Sequence, residues 1–408
     1  MSRPAWYFDL AADELQTCAE AFVDFLKEFD QTMQAKVVAL FSALLMLAGL
    51  CGCGSSSSSS TAAPAGSHLA YVTAESGISV FRVDNRSGSF TAVVGSPFSF
   101  PISPSSPNNF TSPTSIYVHP SNKFAYALNA AQNNISLFQI DSNSGAISEV
   151  LPRTATGISP SSLTMTSAGD FLFVANFSSD TISVFSVNSG IGALTEIPGS
   201  PFPASFNPNK VVVSPTGKFL YVLNPNITGI SAYSIASGAG SLTPVPGSPF
   251  IIGGGLSSFA IDPAEHFMYV TDSNANTVST YSINSTTGAL AFVPDSTIAT
   301  GTTPVQVLVH SSGSFLYVAN TGSSNISEYT LDSTTGIPAV NTHSAVATGG
   351  AAASFMLNDS TSGNFIFVGN GTASTVGEFS VNLTTGVLTN NANGPSPGAN
   401  PNSMFLTK

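Results

Sequence analysis

Short apolar runs separated by polar, glycine-containing turns repeat along this chain from His68 to its C-terminus. In the clearest runs, FLFVAN at Phe171–Asn176 and FLYVAN at Phe315–Asn320, both alternating sets of positions are apolar. Such a run predicts a strand that is covered on both faces. A second run, such as Ile326–Leu331, follows each one after a polar loop. It mixes Ser and Thr among apolar residues, which predicts a strand nearer the outside.

A turn glycine follows each second run, and these glycines give the length of the repeat. They are Gly88, Gly145, Gly192, Gly240, Gly288, Gly336 and Gly386. From Gly145 onward the intervals are 47, 48, 48, 48 and 50 residues. A repeat of that length built from short strands is typical of β-propeller blades. The pattern therefore predicts an all-β fold, a seven-bladed β-propeller of four-stranded blades, over residues 68–408.

The two ends of the repeat region predict how the ring closes. The first repeat begins at Leu69 with its second strand and has no first strand before it. The last residues of the chain, Ser403–Leu406, read like the first strand of the other repeats. We therefore expect Ser403–Leu406 to be the innermost strand of the first blade, which removes two free sheet edges.

An apolar segment near the N-terminus predicts export. The 14 mostly apolar residues Val37–Leu50 follow Met33 and a single lysine, Lys36. This run fits the core of a signal peptide and is too short for a transmembrane span. Leu50-Cys51-Gly52-Cys53 resembles a bacterial lipobox, which implies lipidation at Cys53. We interpret residues 33–53 as a lipoprotein signal peptide; a simple cleaved signal or an uncleaved anchor is the alternative, and each places the propeller outside the cytoplasm.

The segments on either side of this signal have different compositions. Residues 1–32 contain seven Asp and Glu against Arg3 and Lys27, with apolar residues at helical spacing. An acidic helix has the wrong charge for an anionic membrane surface. We interpret residues 1–32 as an extension from a start codon assigned too early, with Met33 as the first residue. Residues 54–67, which include six consecutive serines, predict a flexible tether.

Charge and composition narrow the classes of partner. The chain has 10 Lys and Arg, 22 Asp and Glu and a formal net charge of −12, so a nucleic acid is not expected as a partner. Only 8% of the residues are charged, which is typical of exported proteins that meet glycans, polymers or surface proteins. We expect contact with a membrane only through the lipid anchor, and we expect a monomer.

The sequence contains none of the common catalytic or metal-binding motifs. All three cysteines precede the repeats, and HExxH, CxxC and G-x-S-x-G are absent. We therefore expect no metal and no cofactor. His119 and His310 occupy a turn position that holds Ser214 and Asp262 in other repeats, so we interpret both histidines as turn-capping residues.

Candidate binding residues lie where the inner strands begin, because propeller sites usually lie at the mouth of the central channel. The residues at this position are Ser115, Ser162, Lys210, Ser258, Gln306, Ser354 and Ser403. Lys210 is the single charge in this set and the first candidate ligand-binding residue; the alternative is a solvated loop lysine. Asp180 and Glu75, in loops at the same end of the blades, are the candidate catalytic acids.

The phrases YVAN, ISVF and TGAL resemble the seven-bladed propellers of the lactonase family, which includes 6-phosphogluconolactonase and the carboxymuconate cyclases, and also the YVTN surface-layer repeats. Family lactonases characteristically carry P-H-P-H before an inner strand and D-L-G-x-D after the next strand. Here the first motif is replaced by Ser159-Pro160-Ser161-Ser162, and of the second only Asp180 matches.

Two functional hypotheses follow. In the first, the exported propeller is a scaffold that binds a ligand or partner at the cell surface through its face rich in Ser and Asn. In the second, it hydrolyses a sugar lactone, with Asp180 or Glu75 activating water and Lys210 stabilising the oxyanion. The missing histidines favour the binding scaffold.

Overall fold

The structure is a computed structural model that describes residues 66–75, 77–99, 113–341, 345–350, 352–359 and 361–407. The predicted extension 1–32, the signal peptide 33–53 with Cys53, and all but the last two residues of the tether lie outside the described residues. Within the described ranges, no helix is long and apolar enough to cross a membrane.

Seven antiparallel sheets form the blades of a β-propeller, which confirms the predicted fold class. The strands of blades 1 to 3 are β1 (Ser67–Ala74), β2 (Gly77–Asp84), β3 (Phe90–Ala92), β4 (Ser115–Val118), β5 (Phe124–Asn129), β6 (Asn134–Ile140), β7 (Ile147–Ala155), β8 (Pro160–Met165), β9 (Phe171–Asn176), β10 (Thr181–Val187), β11 (Leu194–Glu196) and β12 (Phe202–Pro203).

The later blades repeat this pattern. The strands of blades 4 to 7 are β13 (Lys210–Val213), β14 (Phe219–Asn224), β15 (Gly229–Ile235), β16 (Leu242–Pro244), β17 (Phe250–Ile251), β18 (Leu256–Ile261), β19 (Phe267–Asp272), β20 (Thr277–Ile283), β21 (Leu290–Phe292), β22 (Ile298–Ala299), β23 (Pro304–Val309), β24 (Phe315–Asn320), β25 (Asn325–Leu331), β26 (Pro338–Val340), β27 (Val346–Ala347), β28 (Ala353–Asn358), β29 (Phe365–Asn370), β30 (Thr375–Val381) and β31 (Leu388–Asn393). The last strand, β32 (Ser403–Leu406), returns to blade 1. Two single-turn 3₁₀ helices, Ala130–Gln132 and Pro225–Ile227, lie in loops.

Four strands run from the inner edge to the outer edge of each blade, and four blades carry a small addition. In blades 3 to 6 a two-residue strand also pairs with the third strand: β12 with β10, β17 with β15, β22 with β20 and β27 with β25. These short strands pair with the beginning of the third strand, beyond the part that the fourth strand covers. Their sequences are too short for any periodicity to predict them.

The C-terminal strand closes the ring as predicted. β32 pairs antiparallel with β1, with Ala70 opposite Leu406 and Thr73 opposite Ser403. The amide of Leu69 also donates to Oγ1 of Thr407 at 2.9 Å. Blade 1 therefore combines strands from both ends of the described chain, and the inner edge of β1 is paired.

The second strand of each blade is buried because neighbouring blades cover both of its faces. In β9 and β14 every residue is buried. One apolar cluster joins Phe171 and Phe173 of blade 3 to Tyr233 and Leu242 of blade 4. The core is thus a series of layers between blades, which is why both alternating sets of positions in these strands are apolar.

Contacts between blades also explain the repeated turn glycine. Gly240 of blade 4 has φ +70°, and a Cβ atom there would lie 2.4 Å from the ring of Phe171 in blade 3. Gly288 of blade 5 is in the same position, since a Cβ atom there would lie 2.5 Å from the ring of Phe219 in blade 4. The glycine carbonyl is also used, since the hydroxyl of Tyr221 donates to the carbonyl of Gly288 at 3.0 Å. The repeat glycine is therefore required by the close approach of successive blades.

Candidate functional site

The inner strands of the blades begin at one end of the ring, which we call the channel mouth. Six of the predicted residues stand there at one level, because each is paired with the next-to-last residue of the adjacent second strand: Ser115, Ser162, Lys210, Ser258, Gln306 and Ser403. The strand register therefore places these side chains in one ring around the channel.

Blade 7 departs from the predicted ring by one residue. Phe355 is paired with Gly369, the next-to-last residue of β29, so Phe355 takes the position expected for Ser354. Ser354 lies in the bulge that precedes it, and its hydroxyl donates to the carbonyl of Pro401. Ser161, in the equivalent bulge of blade 3, makes the same contact with the following blade, to the carbonyl of Pro208 at 2.9 Å. Bulges precede the ring residues of blades 3, 5 and 6 as well, so the bulge does not set blade 7 apart. Ala353-Ser354-Phe355 corresponds to Pro160-Ser161-Ser162 of blade 3, and the predicted position in blade 7 is one residue too early.

Lys210 forms a hydrogen-bonded chain with the two following blades. Its Nζ donates to Oγ of Ser258 at 2.9 Å and to the carbonyl of Phe259 at 3.0 Å. Oγ of Ser258 in turn donates to Oε1 of Gln306 at 3.3 Å. We call Lys210, Ser258 and Gln306 the polar triad. The triad joins blades 4, 5 and 6 across the rim of the channel.

The environment of Lys210 is unusual for a lysine. The side chain is half-buried, and its Nζ lies 5.5 Å from the centre of the Phe259 ring. Desolvation lowers the pKa of Lys210 to about 8. Among the described residues, no carboxylate lies within ion-pair distance of this ammonium. A cation held by neutral groups in a channel mouth can bind an anionic or strongly polar group of a ligand.

Asp180 holds the loop that leads to Lys210. Its Oδ1 accepts a hydrogen bond of 2.7 Å from the amide of Asn207, and its backbone has φ +52°. Asn133 and Asn276 occupy the equivalent positions in blades 2 and 5, also with positive φ, and each accepts an equivalent hydrogen bond of 2.7 Å. An amide thus performs the same task as the carboxylate, so the negative charge of Asp180 is not needed for this contact.

Glu75 lies in blade 1 and forms its contacts within the closure of the ring. It is exposed, its amide donates to the carbonyl of Ala399 at 3.0 Å, and Nδ2 of Asn400 donates to its Oε1. Neither Glu75 nor Asp180 is hydrogen-bonded to the polar triad. The proposed catalytic roles of these two carboxylates stay predictions.

Two of the remaining ring serines, Ser162 and Ser403, form hydrogen bonds with neighbouring strands. Oγ of Ser162 accepts a hydrogen bond of 3.3 Å from the amide of Val211 in the next blade. The carbonyl of Ser403 accepts from Oγ1 of Thr73 at 3.3 Å, and Ser115 is half-buried at the same level. These positions supply a hydroxyl-rich rim around the triad.

The turn histidines have the structural role predicted for them. Nε2 of His119 lies 3.0 Å from the carbonyl of Gly169, and Nε2 of His310 lies 2.8 Å from the carbonyl of Gly363. Each imidazole thus joins its turn to the corresponding turn of the next blade. In the described part of the chain, no group of His, Cys, Asp and Glu side chains could hold a metal ion.

Sequence reasoning missed the second level of the channel. Two positions further along each inner strand, the residues are mostly apolar: Tyr117, Thr164, Val212, Ala260, Leu308, Leu357 and Phe405. The signal lies in the alternation of the inner strands, in which a mostly apolar position follows two residues after each ring position. The channel is therefore polar at its mouth and mostly apolar below it.

A comparison with known protein families agrees with this architecture. The sequence model described as "Lactonase, 7-bladed beta-propeller" matches residues 61–204, 197–308 and 293–402. The chain belongs to this family. No curated protein matches the sequence.

Several solved members of this fold are similar in structure. A putative 6-phosphogluconolactonase from Bacteroides fragilis matches with a TM-score of 0.70 and 19% identity, over 84% of this chain and 99% of that one. The periplasmic gluconolactonase of Pseudomonas aeruginosa matches with a TM-score of 0.67 and 18% identity, over 84% and 99%. At these identities the similarity shows a shared lactonase-type propeller fold.

Proposed function

We propose that this lactonase-family propeller is a binding protein whose channel mouth takes a small hydroxylated ligand with a carboxylate or carbonyl group, such as a sugar acid. The observation that carries this proposal is the polar triad. The Lys210 ammonium is held by Ser258 and by the carbonyl of Phe259, both neutral, so an anionic oxygen of a ligand would be its first charged partner. Gln306 and the ring serines offer hydrogen bonds to hydroxyl groups.

The contacts of the candidate acids favour binding over hydrolysis. A hydrolase needs a base that can reach a water molecule beside the scissile carbonyl. Asp180 is engaged by the amide of Asn207, in a contact that asparagines make elsewhere in the ring, and Glu75 is engaged by Asn400 in blade 1. Neither contact joins a carboxylate to Lys210.

Hydrolysis of a sugar lactone is the second candidate, and family membership favours it. One structural neighbour carries the name gluconolactonase and is described as periplasmic. In this alternative Lys210 stabilises the oxyanion and Asp180 or Glu75 activates water.

We further propose that the protein is exported and anchored through a lipid on Cys53, with a glycan, polymer or surface protein as the source of the ligand. The first described strand, β1, begins at Ser67, at the end of the ring opposite the channel mouth. The described chain therefore enters the propeller at the end away from the polar triad.

The test has two parts. Calorimetry measures the binding of D-gluconate to the purified propeller, and hydrolysis assays measure turnover of neutral and phosphorylated aldonolactones. We expect gluconate binding without turnover, and we expect Lys210→Gln to weaken binding about tenfold to a hundredfold, since a charge-assisted hydrogen bond is lost. Lys218→Gln, which changes an exposed lysine of the same blade, is the matched control and should bind like the parent.

Asp180→Asn separates the two candidate functions. The amide preserves the contact with Asn207, as Asn133 and Asn276 show, and it removes the charge. If the parent hydrolyses a lactone above the uncatalysed rate and Asp180→Asn does not, lactone hydrolysis replaces binding as the function of this protein. If none of these compounds is bound or hydrolysed, the proposed ligand class is overturned.

A further inference from the structure

A cavity of about 320 Å³ lies at the end of the channel opposite Lys210, where the inner strands of blades 2 to 4 turn back. Its walls come from blades 1 to 4 and include Tyr117, His119, Met165, Ser167, Val213 and Phe405. Its volume lies at the lower end of the range of small-molecule sites, so it suits a compact ligand and excludes a folded segment.

Aromatic and proline rings form the flat walls of this cavity. Tyr117 and Phe405 lie side by side, with ring centres 4.5 Å apart and planes inclined at 49°. Pro120 and Pro215 add two further rings from the turns of blades 2 and 4. These faces offer van der Waals contact to a ligand ring.

The polar groups of the cavity are neutral. The described residues that line it include no Asp, Glu, Lys or Arg. Both ring nitrogens of its histidine, His119, already have hydrogen-bond partners. Nδ1 lies 2.7 Å from Oγ of Ser121, and Nε2 lies 3.0 Å from the carbonyl of Gly169. Burial lowers the pKa of His119, which favours its neutral form. A charged ligand would therefore lose its hydration without gaining an opposite charge.

We propose that this cavity binds the pyranose ring of a neutral sugar. A pyranose has an apolar face of C–H groups and a rim of hydroxyls, which matches walls made of rings with hydroxyls from Tyr117 and Ser167 among them. A purely apolar ligand would cover these hydroxyls without giving them hydrogen-bond partners, which is unfavourable. This site is separate from the polar triad, lies at the other end of the channel and does not depend on the function proposed for Lys210.

Saturation-transfer NMR with methyl β-D-glucopyranoside, methyl β-D-galactopyranoside and D-gluconate tests the proposal on the purified propeller. We expect the ring C–H protons of at least one neutral glycoside to receive saturation. Ser167→Trp, an exposed turn position, should fill the cavity and abolish this signal. Tyr117→Phe keeps the ring, removes the hydroxyl and should weaken binding about threefold to tenfold.

Two further variants serve as controls. Ser311→Trp makes the same change at the equivalent exposed turn of blade 6, which does not line the cavity, and should bind like the parent. Lys210→Gln should also keep the glycoside signal while weakening gluconate binding. The proposal is overturned if neither glycoside receives saturation, if Ser167→Trp leaves the signal unchanged, or if Lys210→Gln removes it.

Discussion

At the scale of single residues, the neighbours of a side chain decide what it does. Asp180 holds the loop that leads to Lys210, yet Asp180 is engaged by a backbone amide while the Lys210 ammonium is held by the neutral groups of Ser258 and Phe259. Glu328 is a third case. It is 4% exposed in the third strand of blade 6, and burial raises its pKa to about 7. These three environments lead to two predictions.

Binding of an anionic ligand at Lys210 should weaken as the pH rises. Desolvation lowers the pKa of Lys210 to about 8, so the ammonium is mostly present at pH 7 and mostly lost at pH 9. We expect the affinity for D-gluconate to fall about tenfold between pH 7 and pH 9, measured by calorimetry. Lys210→Gln should bind weakly with no such pH dependence. An unchanged affinity across this range in the parent would show that the ammonium does not contact the ligand.

Glu328 should make the propeller less stable as the pH rises from about 5 to about 8, whereas His68 and His119, whose pKa values burial lowers, act in the opposite direction. Because the pKa of Glu328 is higher in the folded protein than in the unfolded chain, the folded state holds more protons in this range, and folding is favoured below it. Glu378, whose pKa burial also raises, acts in the same direction. For Glu328 the loss is about 3 kcal/mol. Between pH 5 and pH 8 the free energy of unfolding in urea should therefore fall less, or rise more, in Glu328→Gln than in the parent.

Glu196→Gln is the control for this measurement. Glu196 is exposed on the fourth strand of blade 3, so its replacement should leave the pH dependence as in the parent. If Glu328→Gln lost as much stability between pH 5 and pH 8 as the parent, the buried carboxyl would not be the group that titrates.

At the scale of elements, each turn is fitted to the blade before it. The glycines at the turns after the third strands are the positions at which the preceding blade leaves no space for a Cβ atom, as at Gly240 against Phe171. A second glycine of the same turn, Gly238, has nearly the same backbone angle, φ +72°, and no atom near its added Cβ. The pair separates backbone strain from contact between blades.

Gly240→Ala should destabilise the protein more than Gly238→Ala. Both alanines have to adopt a left-handed backbone, which costs about 1–2 kcal/mol. Only the alanine at position 240 also displaces Phe171, and overpacking adds about 1–3 kcal/mol. Thermal unfolding of both variants measures the difference. Equal melting temperatures would mean that the neighbouring blade yields without cost.

At the scale of the whole molecule, one short strand joins the ends of the ring. Met404 and Leu406 of β32 are buried against blades 7 and 1, in a cluster that includes Val72 and Phe367. Without β32, the inner edge of β1 would be unpaired. The stability of all seven blades therefore depends on the last few residues of the described chain.

Removal of residues 400–408 should destabilise the entire ring. Each buried apolar side chain that is lost costs about 2–5 kcal/mol. Differential scanning calorimetry should show a lower melting temperature for the truncated protein than for the full-length Met404→Ala variant, which removes only one of these side chains. A truncated protein that melts with the parent would contradict closure through β32.

The sequence by itself determined the principal strands of the blades, the number of blades and the closing strand, because apolar alternation and turn glycines act over a few residues and recur in every repeat. It also placed Lys210 at the channel mouth. The tertiary structure alone decided that Lys210 contacts Ser258 and Phe259, 48 and 49 positions away, that Phe355 takes the place expected for Ser354, and that Tyr117 and Phe405 form one wall of a cavity. These contacts depend on how neighbouring blades stack, and stacking leaves no local pattern in the chain.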